Sequence, residues 1–187
     1  MTKLVAYQGC PGAFGHEACL TFLPDREPVS QLGFAQVIEA VLDKRTGLGM
    51  LPLRNSIAGM VREVESLLPA RPVTIISRHW LPIRLHLLGR RGARIEQIHS
   101  IVSHEMALAQ CGISLARLDR TILTAPNTAA AAKALAEGRD EGIAVLASEA
   151  AAALYGLSIL QRDMQDKPDN RTEFVIVAAG ERQDELQ

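Results

Sequence analysis

Asp169-Asn170-Arg171-Thr172-Glu173-Phe174 runs directly into Val175-Ile176-Val177. A charged, polar segment gives way to an apolar run of strand length. This predicts a last strand over 174–178 and, beyond it, a charged, frayed tail.

Outward from that strand, the chain alternates between two periodicities. Strands are predicted over 143–147, 121–124, 98–102, 81–88 and 73–76. Helices are predicted over 149–155, stopped by Gly156, over the alanine-rich 128–137, stopped by Gly138, and over 104–118. The first third reads as a strand over 4–8, a turn Gly9-Cys10-Pro11-Gly12 and a helix over 16–22. A second helix carries Ala35, Val37, Ile38, Val41 and Leu42. An apolar run over 48–53 follows, then a helical pattern with Met60, Val64, Leu67 and Leu68. Strands alternating with helices predict α/β layers with largely parallel sheets. Two similar blocks predict two lobes and a cleft: 1–76 with 170–187, and 77–169.

With 187 residues, 48% of them apolar, the chain can bury a core. Its net charge of −1 gives no argument for nucleic acid or an anionic membrane. Arg84, Arg90, Arg91 and Arg94 form a local basic cluster, read as a solvated hairpin or loop. No stretch reaches the length of a membrane span, and no signal-peptide pattern is visible. Cys10, Cys19 and Cys111 are odd in number and lack a CxxC pair, which suits a cytoplasmic protein with reduced thiols. Metal-ligand spacing is missing, and no cofactor is expected.

Three segments share one form: apolar strand, small polar residues, helix. They are Leu51-Pro52-Leu53-Arg54-Asn55-Ser56, Ile101-Val102-Ser103-His104 and Thr124-Ala125-Pro126-Asn127-Thr128. Their polar residues suit helix caps. At strand carboxyl ends the same turns suit an anion, because helix N-termini present N–H donors there. His104 is the acid–base candidate, since imidazole titrates near neutrality; its alternative role is a local hydrogen bond in the first helical turn. Cys10 and Cys111 read as small buried hydrophobes.

These turns resemble, in order and spacing, the motifs of prephenate dehydratase catalytic regions. Tyr7-Gln8-Gly9-Cys10-Pro11-Gly12-Ala13 is similar to that family's opening Gly-x-x-Gly turn. Pro52-Leu53-Arg54-Asn55-Ser56-Ile57-Ala58-Gly59 resembles Pro-x-Glu-Asn-Ser-x-x-Gly. Ser103-His104-Glu105-Met106-Ala107-Leu108-Ala109-Gln110-Cys111 resembles Ser-His-Pro-Gln-Ala-Leu-x-Gln-Cys. Asn127-Thr128-Ala129-Ala130-Ala131 resembles Ser-Thr-Ala-x-Ala, and Asn170 to Phe174 resembles Asn-x-Thr-Arg-Phe.

The resemblance implies a two-lobed fold like type II periplasmic binding proteins, with a site in the inter-lobe cleft, a homodimer and no cofactor. It implies conversion of prephenate to phenylpyruvate, carbon dioxide and water, with Thr172 hydrogen-bonding the leaving hydroxyl. Asn55, Ser56, Ser103 and Thr128 line the substrate in this reading, and Pro11, Ala13, Arg54, Gly59 and Phe174 are further contacts. Three departures stand out. Glu173 replaces the family arginine, Arg54 replaces the glutamate before Asn-Ser, and Glu105-Met106 replaces Pro-Gln. The family's regulatory ACT domain has no counterpart in the sequence, so feedback through one is not expected.

A cation facing an acidic substrate has become an anion at position 173. The first reading is therefore a diverged lyase acting on another small cyclic acid or its activated form. Its setting would be a secondary-metabolite pathway of the tropodithietic acid, antibiotic type, with Glu173 joining Thr172 and His104 in catalysis. An ordinary prephenate dehydratase of phenylalanine biosynthesis and a non-catalytic small-ligand binding protein are the alternatives. An Arg54–Glu173 ion pair would explain both charge changes at once.

Overall fold

The computed structural model describes residues 3–180. The chain divides into two compact units. One comprises the residues up to Gly9, Phe14–Pro82 and the chain from Arg171 on; the other comprises Cys10–Ala13 and Ile83–Asn170.

In the first unit the strands are β1 (Leu4–Gln8), β2 (Glu27–Gln31), β3 (Leu48–Asn55), β4 (Gly59–Met60), β5 (Val73–Pro82) and β11 (Arg171–Ala179). Its helices are α1 (Phe14–Phe22), α2 (Phe34–Leu42) and α3 (Arg62–Leu67). The sheet order is β2-β1-β3-β11-β5, with β4 on β3. β1 is parallel to both its neighbours, whereas β11 is antiparallel to both β3 and β5. The sheet is therefore mixed, which corrects the expectation of largely parallel strands. Val37, Ile38, Ala40 and Val41 of α2 are buried at helical spacing, and the first three pack with Leu51, Val64, Val175 and Val177. β11 is buried on six consecutive residues because it lies inside the sheet with both faces covered.

The second unit holds β6 (His86–Gly89), the 3-10 turn over Ile95–Gln97, β7 (Ser100–Ser103), β8 (Thr121–Thr124), β9 (Ile143–Ala147) and β10 (Ser158–Gln161). Its helices are α4 (Glu105–Gln110), α5 (Gly112–Leu118), α6 (Thr128–Glu137) and α7 (Glu149–Tyr155). The sheet order is β10-β6-β9-β7-β8. β7 is parallel to β8 and β9, and β6 is antiparallel to β9 and β10. Ala131, Ala132 and Leu135 of α6 pack with Val145, Ala147, Ala151 and Ala152. Arg90, from the basic cluster, donates to the Leu135 and Ala136 carbonyls and so covers the carboxyl end of α6.

Several elements differ from the sequence reading. β2 and β10 were not expected; both are edge strands. β5 continues through 77–80 to Pro82, so the break near 76 is not a strand boundary. The helix expected over 104–118 is two helices. Cys111 leaves helical geometry, and the Asp166 carboxylate accepts from the N–H groups of Ile113 and Ser114, capping α5 separately. The frayed tail lies outside the described residues beyond Gly180.

Gly49 lies on β3 beneath α2. A Cβ there would approach Val177 and Val37 to 3.0 Å and Val41 to 3.2 Å. Gly49→Ala is expected to lower stability by about 1–3 kcal/mol through overpacking, read as a lower urea midpoint with unchanged slope.

Candidate active site

In the first unit the carboxyl end of β3 meets the start of β11, with Asn55 opposite Thr172 and Arg54 opposite Glu173. Asn55 organises this corner. Its Oδ1 accepts from the N–H groups of Ile57 and Ala58, both at 2.9 Å. Its Nδ2 donates to the Arg171 carbonyl at 3.1 Å and to Thr172 Oγ1 at 2.9 Å. The two backbone N–H donors fix which end of the amide faces them. Thr172 Oγ1 therefore accepts, and its own O–H proton is left to be donated elsewhere. Ser56 completes the corner: its Oγ accepts from the Arg171 N–H at 3.0 Å, and its N–H donates to the Arg171 carbonyl at 2.8 Å. Gly59, at φ +83°, pairs with Asn55 where β3 turns into β4.

Successive strand residues face opposite sides, so Glu173 lies on the other face of the sheet from Thr172. Arg54, Glu173 and Trp80 stand in one cross-strand row. Glu173 is 6% exposed. Its carboxylate meets Arg54 Nε at 2.9 Å and Arg78 at 3.7 Å. The guanidiniums of Arg54 and Arg171 each lie over Trp80, at 5.0 and 4.9 Å from the ring centroid. The two charge departures noted in the sequence are thus one ion pair with its polarity reversed. Arg78 and Trp80 went unnoticed because residues 77–80 fell between two separately predicted strands. Phe174, at 2% exposure, is a core side chain.

In the second unit, Ser103 is fully buried and donates to the Leu146 carbonyl at 2.7 Å, tying β7 to β9. His104 Nδ1 accepts from the Met106 N–H at 3.2 Å and caps α4. That bond requires an unprotonated Nδ1. Asn127 caps α6 through the Ala130 N–H, and the half-buried Thr128 is the first helical residue. Residues 10–13 dock on α7: Ser148 donates to the Gly12 carbonyl at 2.9 Å and Tyr155 to the Pro11 carbonyl at 2.7 Å. Gly12 has φ +87°, and a Cβ there would come within 3.1 Å of the Ala151 backbone, so only glycine fits. Ala13 closes the turn through its N–H to the Cys10 carbonyl.

An apolar cavity of about 390 Å³ beside α6, walled by Val102, Ala131, Leu135 and Val145, includes none of these hydroxyl or imidazole groups. Burial pushes the Cys19 and Cys111 thiols up to about 12, with the Asp166 charge adding to the shift at Cys111, so both behave as inert packing groups. Among the described residues no three His, Cys, Asp or Glu side chains gather to hold a metal ion, and no helix is long and apolar enough to cross a membrane.

The prephenate dehydratase family model matches residues 5–182. A bifunctional N-acyl-homoserine lactone acylase/prephenate dehydratase of Komagataeibacter europaeus is 37% identical over 94% of this chain and 63% of its own length. The chloroplastic arogenate dehydratase/prephenate dehydratase 2 of Arabidopsis thaliana is 36% identical over 93% of this chain and 46% of its own. The chain therefore spans about half to two thirds of these relatives. The prephenate dehydratase structure from Arthrobacter aurescens superposes with a TM-score of 0.86 at 24% identity, over 98% of this chain and 63% of that one; the fold is shared.

Glu173→Gln is expected to cost about 1–3 kcal/mol, since it leaves Arg54 and Arg78 without their counter-charge. Arg54→Glu combined with Glu173→Arg is expected to recover part of that loss. In urea unfolding this gives a coupling above about 0.5 kcal/mol; strictly additive effects would mean the pair contributes nothing.

Proposed function

The chain belongs to the prephenate dehydratase family, and from that premise we propose that it dehydrates and decarboxylates a cyclohexadienol acid, either prephenate or its amino analogue arogenate. The ring hydroxyl departs as water after taking up a proton. The ring carboxylate leaves as carbon dioxide, and the electron pair of the broken C–C bond completes the aromatic ring. Aromatisation drives the reaction, so the protein's part is to hold the acid and help the hydroxyl leave.

The observation that carries this reading is the Asn55–Thr172 hydrogen bond. It occupies the Thr172 oxygen and leaves its proton for a leaving oxygen. His104 and Glu173 have weaker claims to catalysis in this reading: His104 caps a helix through Nδ1, and Glu173 is held by arginines on the opposite sheet face from Thr172. Asn55 and Ser56 act by fixing Thr172 and its strand, and Ser103 by fixing β7. Thr128 and the 10–13 turn remain candidate substrate contacts.

The reversed ion pair also bears on the choice of acid. Exchange of the charges at 54 and 173 conserves their sum, so Glu173 is no obstacle to an acidic substrate. This removes the electrostatic reason for placing the chain in a secondary-metabolite pathway. A homodimer acting in the cytoplasm belongs to the same proposal.

Purified protein incubated with prephenate is expected to form phenylpyruvate, or with arogenate phenylalanine, followed by chromatography. Thr172→Ala is expected to lower kcat by about 10²–10⁴-fold, with Thr172→Ser retaining most of it. Consumption of neither acid would overturn the reaction and leave a ligand-binding protein.

A further inference from the structure

The outer edge of the second sheet is unlike the other sheet edges. β8 reads Thr121-Ile122-Leu123-Thr124, with no charge and no proline. All four residues are exposed, Ile122 by 43% and Leu123 by 46%. Strand edges are ordinarily blunted by charge, proline or a bulge, because their unpaired N–H and C=O groups recruit other strands. The remaining edges follow that pattern. β2 begins Glu27-Pro28, β5 carries Arg78 and a register shift against β11, and β10 meets β6 with a register shift of its own.

The ladder fixes which backbone groups are free. The Thr121 N–H donates to the His99 carbonyl and the Ala125 N–H to the Ser103 carbonyl. Residues 121, 123 and 125 therefore turn their backbone groups toward β7, and Ile122 and Thr124 turn theirs outward. Among the described residues no strand pairs with that outer side. Leu123 stands opposite Val102, and Val102 opposite Val145, so an apolar row runs from beneath α6 to the sheet edge and stops there.

We propose that a second copy of this chain completes the sheet by antiparallel pairing of β8 with β8, about a two-fold axis through Leu123. This names the contact surface of the homodimer already proposed and rests on that reading. The register follows from the backbone. Residues with outward groups must face each other, so Ile122 pairs with Thr124 of the copy and Thr124 with its Ile122. Leu123 then meets Leu123 of the copy in the closely spaced position between these pairs, and the two apolar rows join. A centre on Ile122 would set Leu123 against Thr121 and leave the rows apart. Charge agrees with the axis through Leu123. The exposed Asp119, just before each strand, is carried toward the amino end of the copy's α6, where the helix dipole is positive. A two-fold contact closes on itself, so both edges are used and no filament grows.

β8 is short, so the dimer is expected to be weak. Sedimentation velocity of the full chain, without substrate and in reducing buffer, is expected to show monomer passing to dimer over about a hundredfold range of concentration. Leu123→Lys sets two ammonium groups together on the axis. Thr124→Pro removes an outward N–H and spares the β7 ladder. Each variant is expected to stay monomeric with unchanged circular dichroism, and either decides if the other fails to fold. In a Cys10→Ser background, which removes the half-exposed native thiol, Leu123→Cys is expected to give a disulfide-linked dimer on mild oxidation, since closely spaced partners lie about 4.5 Å apart at Cα. Ile122→Cys is expected to cross-link at least about tenfold more slowly, because Ile122 and its copy stand diagonally, about 7–8 Å apart.

A chain that stays monomeric throughout would overturn both the surface and the homodimer, and would leave the proposed reaction standing, since no turnover is read. A dimer that persists in both folded variants would overturn the β8 surface alone. Equal cross-linking from positions 122 and 123 would overturn the two-fold pairing.

Discussion

The insertion of β11 between β3 and β5 is the constraint on which the first unit depends. The last strand of the chain pairs on both sides, with Asn55 to Gly49 of β3 and with Pro82 to Val73 of β5. Without it the two strands share no partner, and the α2 core loses Val175 and Val177. The same insertion builds the candidate site. Register alone brings Thr172 to Asn55 and Glu173 to Arg54, side chains more than a hundred residues apart in sequence. A slip of one residue would turn Thr172 to the arginine face and bury Arg171 or Phe174 in the wrong layer. Stability and chemistry are here properties of one hydrogen-bond ladder.

The reversed pair shows how a charge change can be read too locally. Taken alone, glutamate at 173 repels an acid. Taken with its neighbour, it is half of a unit whose net charge is unchanged, and it draws in Arg78 as well. Electrostatic attraction to a ligand depends on the sum over the cluster, and with Arg78 counted beside Arg54 and Glu173 that sum is positive. The carboxylate is nearly enclosed, which makes its hold on Arg54 stronger than that of an exposed surface pair. Its arginine partners stay open to solvent.

Much of the fold was legible because the interior elements carry strong patterns. α2, α6, β1, β9 and β11 announce themselves through buried apolar residues at helical or strand spacing. The edges did not. β2 is Glu-Pro-Val-Ser-Gln, with little apolar content because an edge strand buries little. Strand direction was equally hidden, since a fully buried strand reads the same whichever way its neighbours run. At the site, the polar residues at strand ends were visible, but not how their hydrogen bonds are used. In sequence Ser103 reads as a substrate contact and His104 as an acid–base group; in space the hydroxyl faces a β9 carbonyl and the imidazole faces a helix N–H. Nothing in a sequence says which partner a hydroxyl will choose.

The discontinuity of the first unit has a consequence for biosynthesis. Residues 83–170 lie between Pro82 and the strand that completes the first sheet. At roughly 5–20 residues per second on a ribosome, the chain extends for about 4–18 s between making β5 and starting β11. During that interval β3 and β5 each lack a neighbour, and their unpaired backbone edges are open to other nascent chains. The second unit, nearly contiguous in sequence, can form meanwhile. Conditions that delay the last strand, such as slow translation or truncation within it, therefore threaten solubility before they threaten activity.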